Sequence, residues 1–230
     1  MTGLEMLAEF QKYLTISDPR LFEVERLESS EIYQFLNIAQ RMIFKNKYFP
    51  SSNYLENIAI INANFEDLRN LIKNETVTSG INDTTHYPNA LTIPIDFSAL
   101  DYAYYIKSES KVVREQVFPT DAGGEVVPNQ LISLTDVPRF ISNSIHTPII
   151  RKPGVLITDN SDVTLFKDKY TTTYLGFYLT YLKYPSAIVD NEECELEKSL
   201  QGLVVTTAVD LFRSNKYLLA GQQQQQQQQQ

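Results

Sequence analysis

The chain is poor in the residues that build chemical sites. Its 230 residues include one cysteine, Cys194, two histidines, His86 and His146, and no tryptophan. A single cysteine excludes an internal disulfide, and two histidines beside it give no thiolate and imidazole set for a structural zinc. Basic residues are also scarce: 20 Lys and Arg stand against 28 Asp and Glu, a net charge of −8. That balance leaves no footprint for general binding to a phosphate backbone. Apolar runs such as Ile58–Ile61 and Leu203–Val205 fall far short of the ~20 residues a membrane helix needs. Glu5 and Glu9 stand in the first ten residues, where a signal peptide would have a basic start and a long apolar core. The expectation is therefore a chain that neither spans a membrane nor is addressed for secretion. Glycine-rich phosphate loops and a Gly-x-Ser-x-Gly elbow are missing as well.

What is present suits packing. The chain is 43% hydrophobic and 11% aromatic, enough for one substantial core, or one core with a small satellite. Between Ser29 and Tyr48, Ile32, Phe35, Leu36, Ala39, Met42 and Ile43 recur at three- and four-residue steps. Ser29 or Ser30 can cap this amphipathic helix, and Glu31 lies in its first turn. Pro50 stops it. Asn53 can then cap a second helix with Leu55, Ile58, Ile61, Phe65, Leu68 and Ile72 on one stripe, antiparallel to the first because the loop is short. Residues 4–14, with Leu4, Leu7, Ala8 and Leu14, read as a shorter helix that Asp18-Pro19 ends.

From about Asn74 to Pro185 the helical period disappears, and Thr, Val, Ile, Tyr and Pro dominate. Seven prolines from Pro88 to Pro153 punctuate runs that read as short strands. The clearest hairpin is Gly154–Thr158, a turn at Asp159–Asp162, then Val163–Phe166; Gly123-Gly124 marks another turn. A longer strand over Thr172–Lys183 puts Tyr174, Tyr178 and Leu182 on one face and Leu175, Phe177, Leu179 and Tyr181 on the other. Both faces are apolar enough to be covered, as in a sheet sandwiched against another layer.

The helical period returns with Leu196, Leu200, Leu203, Val204, Thr207, Ala208, Leu211 and Phe212, and Gly221 is available to close the helix. The fold class is α+β: a helical bundle made of N-terminal helices and a long C-terminal helix, with an inserted β-rich, sandwich-like section. The expected segments are 1–73 (N-terminal helices), 74–189 (β-rich insertion), 190–220 (last helix) and 221–230 (polyglutamine tail).

Four glutamates and the cysteine crowd into Glu192–Glu197. With Asp190 or Asn191 as N-cap, Glu192, Glu193 and Glu195 fall in a first helical turn, where negative charge is favoured by ~0.3–1 kcal/mol each. A helix start explains the cluster without chemistry. A carboxylate hydrolase would need convergent acids, for example Glu193 with Asp159, and Glu193 and Glu197 sharing a helix face lack further ligands for a metal. Cys194 beside a helix N-terminus could have a lowered thiol pKa, yet no histidine motif accompanies it. Asp159–Asp162 has the start of a calcium loop without its glycine or distal glutamate, and reads as a turn. Asn74-Glu-Thr76 and Asn82-Asp-Thr84 match a glycosylation pattern that matters only in a secreted chain. Arg139, Arg151 and Lys152 form the most basic grouping, read as a solvated or interfacial patch. No cofactor and no enzymatic activity are expected. Gln222 to Gln230 carry no apolar surface and are expected to be disordered alone. Tyr217, Leu218 and Leu219 would anchor an extended arm whose glutamines, including Gln222, Gln226 and Gln230, lie along a partner.

The run Glu31–Tyr48, with its Leu36-Asn37-Ile38-Ala39-Gln40 core, followed by Asn64–Ile72 with Phe65-Glu66 and an Arg69 and Leu71 turn, resembles ring proteins of crAss-like tailed phages. The joint Leu179–Pro185 leading into Glu192–Glu197 is similar to their passage from strand to last helix. That architecture is in turn similar to portal adaptors of the tail tubular protein A type. The resemblance covers about 30–72 and 172–213, and the polyglutamine end is not a feature of it. It implies a virion structural protein of the portal–tail region, assembled in the bacterial host cytoplasm. Its partners would be itself, in a ring of about twelve copies, the portal protein, and the next ring or tail protein. Packaged DNA would pass through an acidic lumen without specific binding. A monomeric β-rich binding or adhesin module is the competing expectation.

Overall fold

In a computed structural model, the chain forms two compact units: residues 1–71 with 185–230, and residues 72–184. The structure describes residues 1–20, 27–48, 66–83, 87, 90–114, 124–138, 152–157, 162–167 and 171–227, without the side chains of 114, 171–172 and 219–227. The second expected helix lies mostly outside these residues, as do the turn at 158–161, both histidines, Arg139, Arg151 and Gln230.

The first unit holds three described helices: α1 (Gly3–Ser17), α2 (Ser29–Tyr48) and α3 (Lys198–Gln227). Thr2 caps α1 through a reciprocal box: the Glu5 N–H donates to Thr2 Oγ1 (3.3 Å), and the Thr2 N–H donates to Glu5 Oε2 (2.9 Å). Asp18 ends the helix, its N–H donating to the Leu14 carbonyl. Phe212 on α3 is the hub, meeting Phe10 of α1 and Phe35 of α2 edge-on with ring centres 6.0 and 5.4 Å apart. Contacts at both ends fix the directions. Asp18 and Glu31 reach Arg213 and Lys216 of α3, whereas Lys47 near the end of α2 pairs with Asp67, which also accepts from Ser199. Helices α1 and α3 therefore run together and α2 runs against them.

The buried stripes differ from those expected. On α1 they are Met6, Phe10 and Leu14, and Leu4 is 49% exposed. On α2, Met42 is 42% exposed, while Gln40 and Phe44 are buried. On α3, Leu203 is 47% exposed and Leu211 half-buried, with Val205 and Val209 buried instead. Each helix is apolar on more than one row, and the rows that meet Phe212 are the ones enclosed.

The second unit is a β-sandwich, as the fold class anticipated. One sheet has four strands in the order β1 (Ile72–Val77), β9 (Thr171–Lys183), β4 (Tyr102–Arg114) and β5 (Glu125–Pro128). The other has five: β2 (Asn82–Asp83), β3 (Ala90–Pro94), β8 (Asp162–Phe166), β7 (Gly154–Ile157) and β6 (Gln130–Leu131). Phe177, Leu179 and Tyr181 of β9 pack against Leu91, Ile93, Val163 and Leu165 of the facing sheet. Fully burying each large side chain contributes ~1.5–3 kcal/mol. The hairpin of β7 and β8 pairs Val155 with Leu165 and Ile157 with Val163. Ile72, expected on a helical stripe, opens β1 opposite Leu182; sheet pairing overrides a helical spacing that the preceding residues had begun.

Candidate interaction surface

The acidic cluster is not the first turn of a helix. Helix α3 begins at Lys198, and residues 184–197 form an irregular strap. Its backbone serves α1. The Leu4 N–H donates to the Asp190 carbonyl (2.8 Å), the Gly3 N–H to the Glu192 carbonyl (3.1 Å), and the Cys194 N–H to the Met1 carbonyl (3.0 Å). The first two satisfy amides that a helix N-terminus leaves without internal partners, and the third returns a strap amide to the Met1 carbonyl. Glu193 forms an isolated bridge with Thr2, so it and Glu197 share no helix face. The carbonyl of Glu197 accepts the first turn of α3 from Leu200 (2.9 Å) and Gln201 (3.3 Å). Asp190, Glu192 and Glu193 are exposed.

Inside the strap, buried polar groups are bonded. Gln201 donates to the carbonyls of Cys194 (3.2 Å) and Leu196 (2.8 Å), and its Oε1 accepts from the Met1 ammonium at 2.6 Å. Asn37 of α2 clamps the strap's other end, accepting from the Ile188 N–H (2.7 Å) and donating to the Ile188 carbonyl (3.3 Å). Cys194 is buried, with Gln40 Nε2 at 3.9 Å from its sulfur. Burial pushes its thiol up, opposite to the lowered value that a helix N-terminus would give. It therefore lacks the accessible setting of a reactive thiol. Of these groups the Thr2-x-x-Glu5 box had a sequence signal, while the roles of Asn37, Gln40 and Gln201 had none.

Strap and α2 bound an open groove of about 690 Å³, lined by Tyr33, Asn37, Ile38 and Arg41 on one side and Ala187–Asp190 on the other. Ile38 is 49% and Val189 43% exposed. The Tyr33 hydroxyl is sealed from solvent beside the Asp190 carboxylate. Burial, and then the Asp190 carboxylate, push its phenol up to about 12.

The residues expected to hold partners scatter. Tyr217 and Leu218 are exposed, but on a helix and not on an extended arm, because α3 runs unbroken past Gly221 to Gln227. Glutamine is a good helix former, and one glycine costs only ~1 kcal/mol in a helix. The Tyr217 hydroxyl donates to Asp18, so this residue holds α3 to the end of α1. The side chains of Leu219, Gln222 and Gln226 are not described. Lys152 is exposed next to β7, and its expected companions Arg139 and Arg151 lie outside the described residues.

Among the described residues no three metal-ligating side chains converge, and no helix is long and apolar enough to cross a membrane. What the helical unit does present is outward apolar residues on each helix: Leu4 and Ile16 on α1, Ile38 and Met42 on α2, and Leu203 and Leu218 on α3, all 42–70% exposed. Compared with known proteins, the chain matches no family model, and no curated protein is significantly similar to it.

Proposed function

We propose that this chain is a structural protein that assembles with copies of itself into a ring, the head-to-tail connector of a tailed phage. The observation that carries the assembly reading is the helical unit. Among the described residues its two chain segments enclose a core around Phe212, yet each of its three described helices keeps large apolar side chains outside. A patch of that kind, rimmed by polar residues, is a protein interface more often than spare surface. Closed rings use heterologous contacts, one patch against a different patch on the neighbour. The placement under the portal rests on the resemblance of Glu31–Tyr48, Asn64–Ile72 and the joint after Leu179 to phage ring proteins. The net charge of −8 suits a lumen through which DNA slides without sticking. In this role the chain is no enzyme and holds no cofactor; its partners are its own copies, the portal protein and the next tail component.

The test is sedimentation velocity of the purified chain over a wide concentration range, alone and with the portal protein of the same particle. Ring-sized species, alone or on the portal, are expected. A chain that stays monomeric in both settings is the β-rich binding module instead.

A further inference from the structure

The exposed residues of α2 are spaced to share one side. Ile38, Arg41, Met42 and Lys45 stand three and four residues apart and are all exposed, which on a helix makes a single stripe. One row of it is apolar, Ile38 with Met42, and the adjoining row is basic, Arg41 with Lys45. Asp190, which shares the groove with Arg41, is the acid beside it.

The outward side of α1 has the opposite character. Leu4, Tyr13 and Ile16 are 49%, 40% and 70% exposed, and Glu5 and Glu9 lie one turn apart between them. The strap adds to this charge, because the bonds from Gly3 to Glu192 and from Cys194 to Met1, which pair Glu193 with Thr2, hold two further exposed glutamates at the first turn of α1. The one lysine here, Lys12, is already engaged by Glu9 at 3.0 Å.

Among the described residues neither side has a partner in the unit: both are exposed, and α1 and α2 turn other sides to Phe212. We propose that the α2 face of one copy docks on the α1 and strap face of the next, head to tail. The inference rests on the ring reading and names its interface. Charge decides the pairing. Like faces meeting across a two-fold axis would bring Arg41 and Lys45 towards their own copies, or glutamates towards glutamates, whereas unlike faces join basic to acidic side chains beside the apolar ones. A heterologous contact of this kind repeats from copy to copy, and it closes a ring when the rotation between copies divides a full turn.

Two charge-reversed chains test the proposal. One carries Arg41→Glu with Lys45→Glu, the other Glu9→Lys with Glu192→Lys; three of the positions are exposed and Glu9 is half-buried, with none in the core, so the melting curves should stay close to that of the unaltered chain. In sedimentation velocity each variant alone should associate at least roughly tenfold more weakly than the unaltered chain. An equimolar mixture should recover association, because every contact in an alternating assembly again joins opposite charges. A variant that assembles normally alone, or a mixture that fails to recover, overturns the interface while leaving the ring intact. An unaltered chain that stays monomeric even with the portal protein overturns the ring reading itself. If a reversed chain fails to fold, Leu4→Cys and Ile38→Cys chains replace it. Oxidation should link the two kinds to each other, and links only between identical chains contradict the proposal.

Discussion

Replacing Gly3 by alanine should unseat the strap. A Cβ at Gly3 would stand 2.6 Å from the Val189 carbonyl carbon, closer still to its oxygen, and 3.2 Å from the Asp190 nitrogen. All three are backbone atoms, so no side-chain rotation relieves the overlap; the first turn of α1 and the strap must part. Parting them loosens the bonds from Gly3 to Glu192, Leu4 to Asp190 and Cys194 to Met1. At ~0.5–1.5 kcal/mol net for each hydrogen bond, the expected loss is ~2–4 kcal/mol. Gly202 is the control: it lies on an exposed part of α3 with nothing within 4 Å of its would-be Cβ. Alanine there should stabilise by ~0.5–1 kcal/mol through helix propensity alone. Urea unfolding followed by circular dichroism reads both variants on the same scale. A Gly3→Ala midpoint within ~0.5 kcal/mol of the parent would refute the claim that the strap is seated against α1.

Phe212→Ala, which removes the ring touching Phe10 and Phe35, should cost ~3–5 kcal/mol, while Leu211→Ala, half-buried, should cost clearly less; equal losses in thermal unfolding would contradict the assignment of the buried stripe. Cys194 should react with a thiol reagent more than roughly tenfold faster in the unfolded than in the native chain, because burial both covers the sulfur and disfavours its thiolate; equal rates would contradict its placement. Tyr33 keeps its proton to about pH 12 when folded and loses it near the ordinary tyrosine value when unfolded. Its contribution is thus complete below that ordinary value and declines as pH rises toward 12. Tyr33→Phe should flatten the alkaline loss of stability, and an unchanged slope would show that Tyr33 is not its source.

Much of the fold was legible because its signals are local. Ser29–Tyr48 follows a helical period over its whole length, and the observed helix has those limits; the Gly154–Phe166 hairpin and the long strand ending at Lys183 were equally plain. The errors have a common cause. Glu192, Glu193 and Glu195 fit the first turn of a helix, but the backbone around them is spent on the amides of α1, nearly two hundred residues away in the chain. Leu4, Met42 and Leu203 fit the apolar period as well as their buried neighbours do, and the position of Phe212 decides which row is enclosed. Ile72 was lost to a helix for the same reason: its partner Leu182 is remote in sequence. The candidate surface was the least legible part, since Met42 reads as core until the fold exposes it and Ile38 stood outside the expected stripe.

Electron cryomicroscopy of the intact particle tests the connector reading most directly. The account predicts a closed ring of about twelve copies of this chain around the DNA channel, between the portal and the next tail component, with the α2 face of each copy against α1 and the strap of its neighbour. A particle in which this chain lies elsewhere as isolated copies, or from which it is missing, contradicts the account.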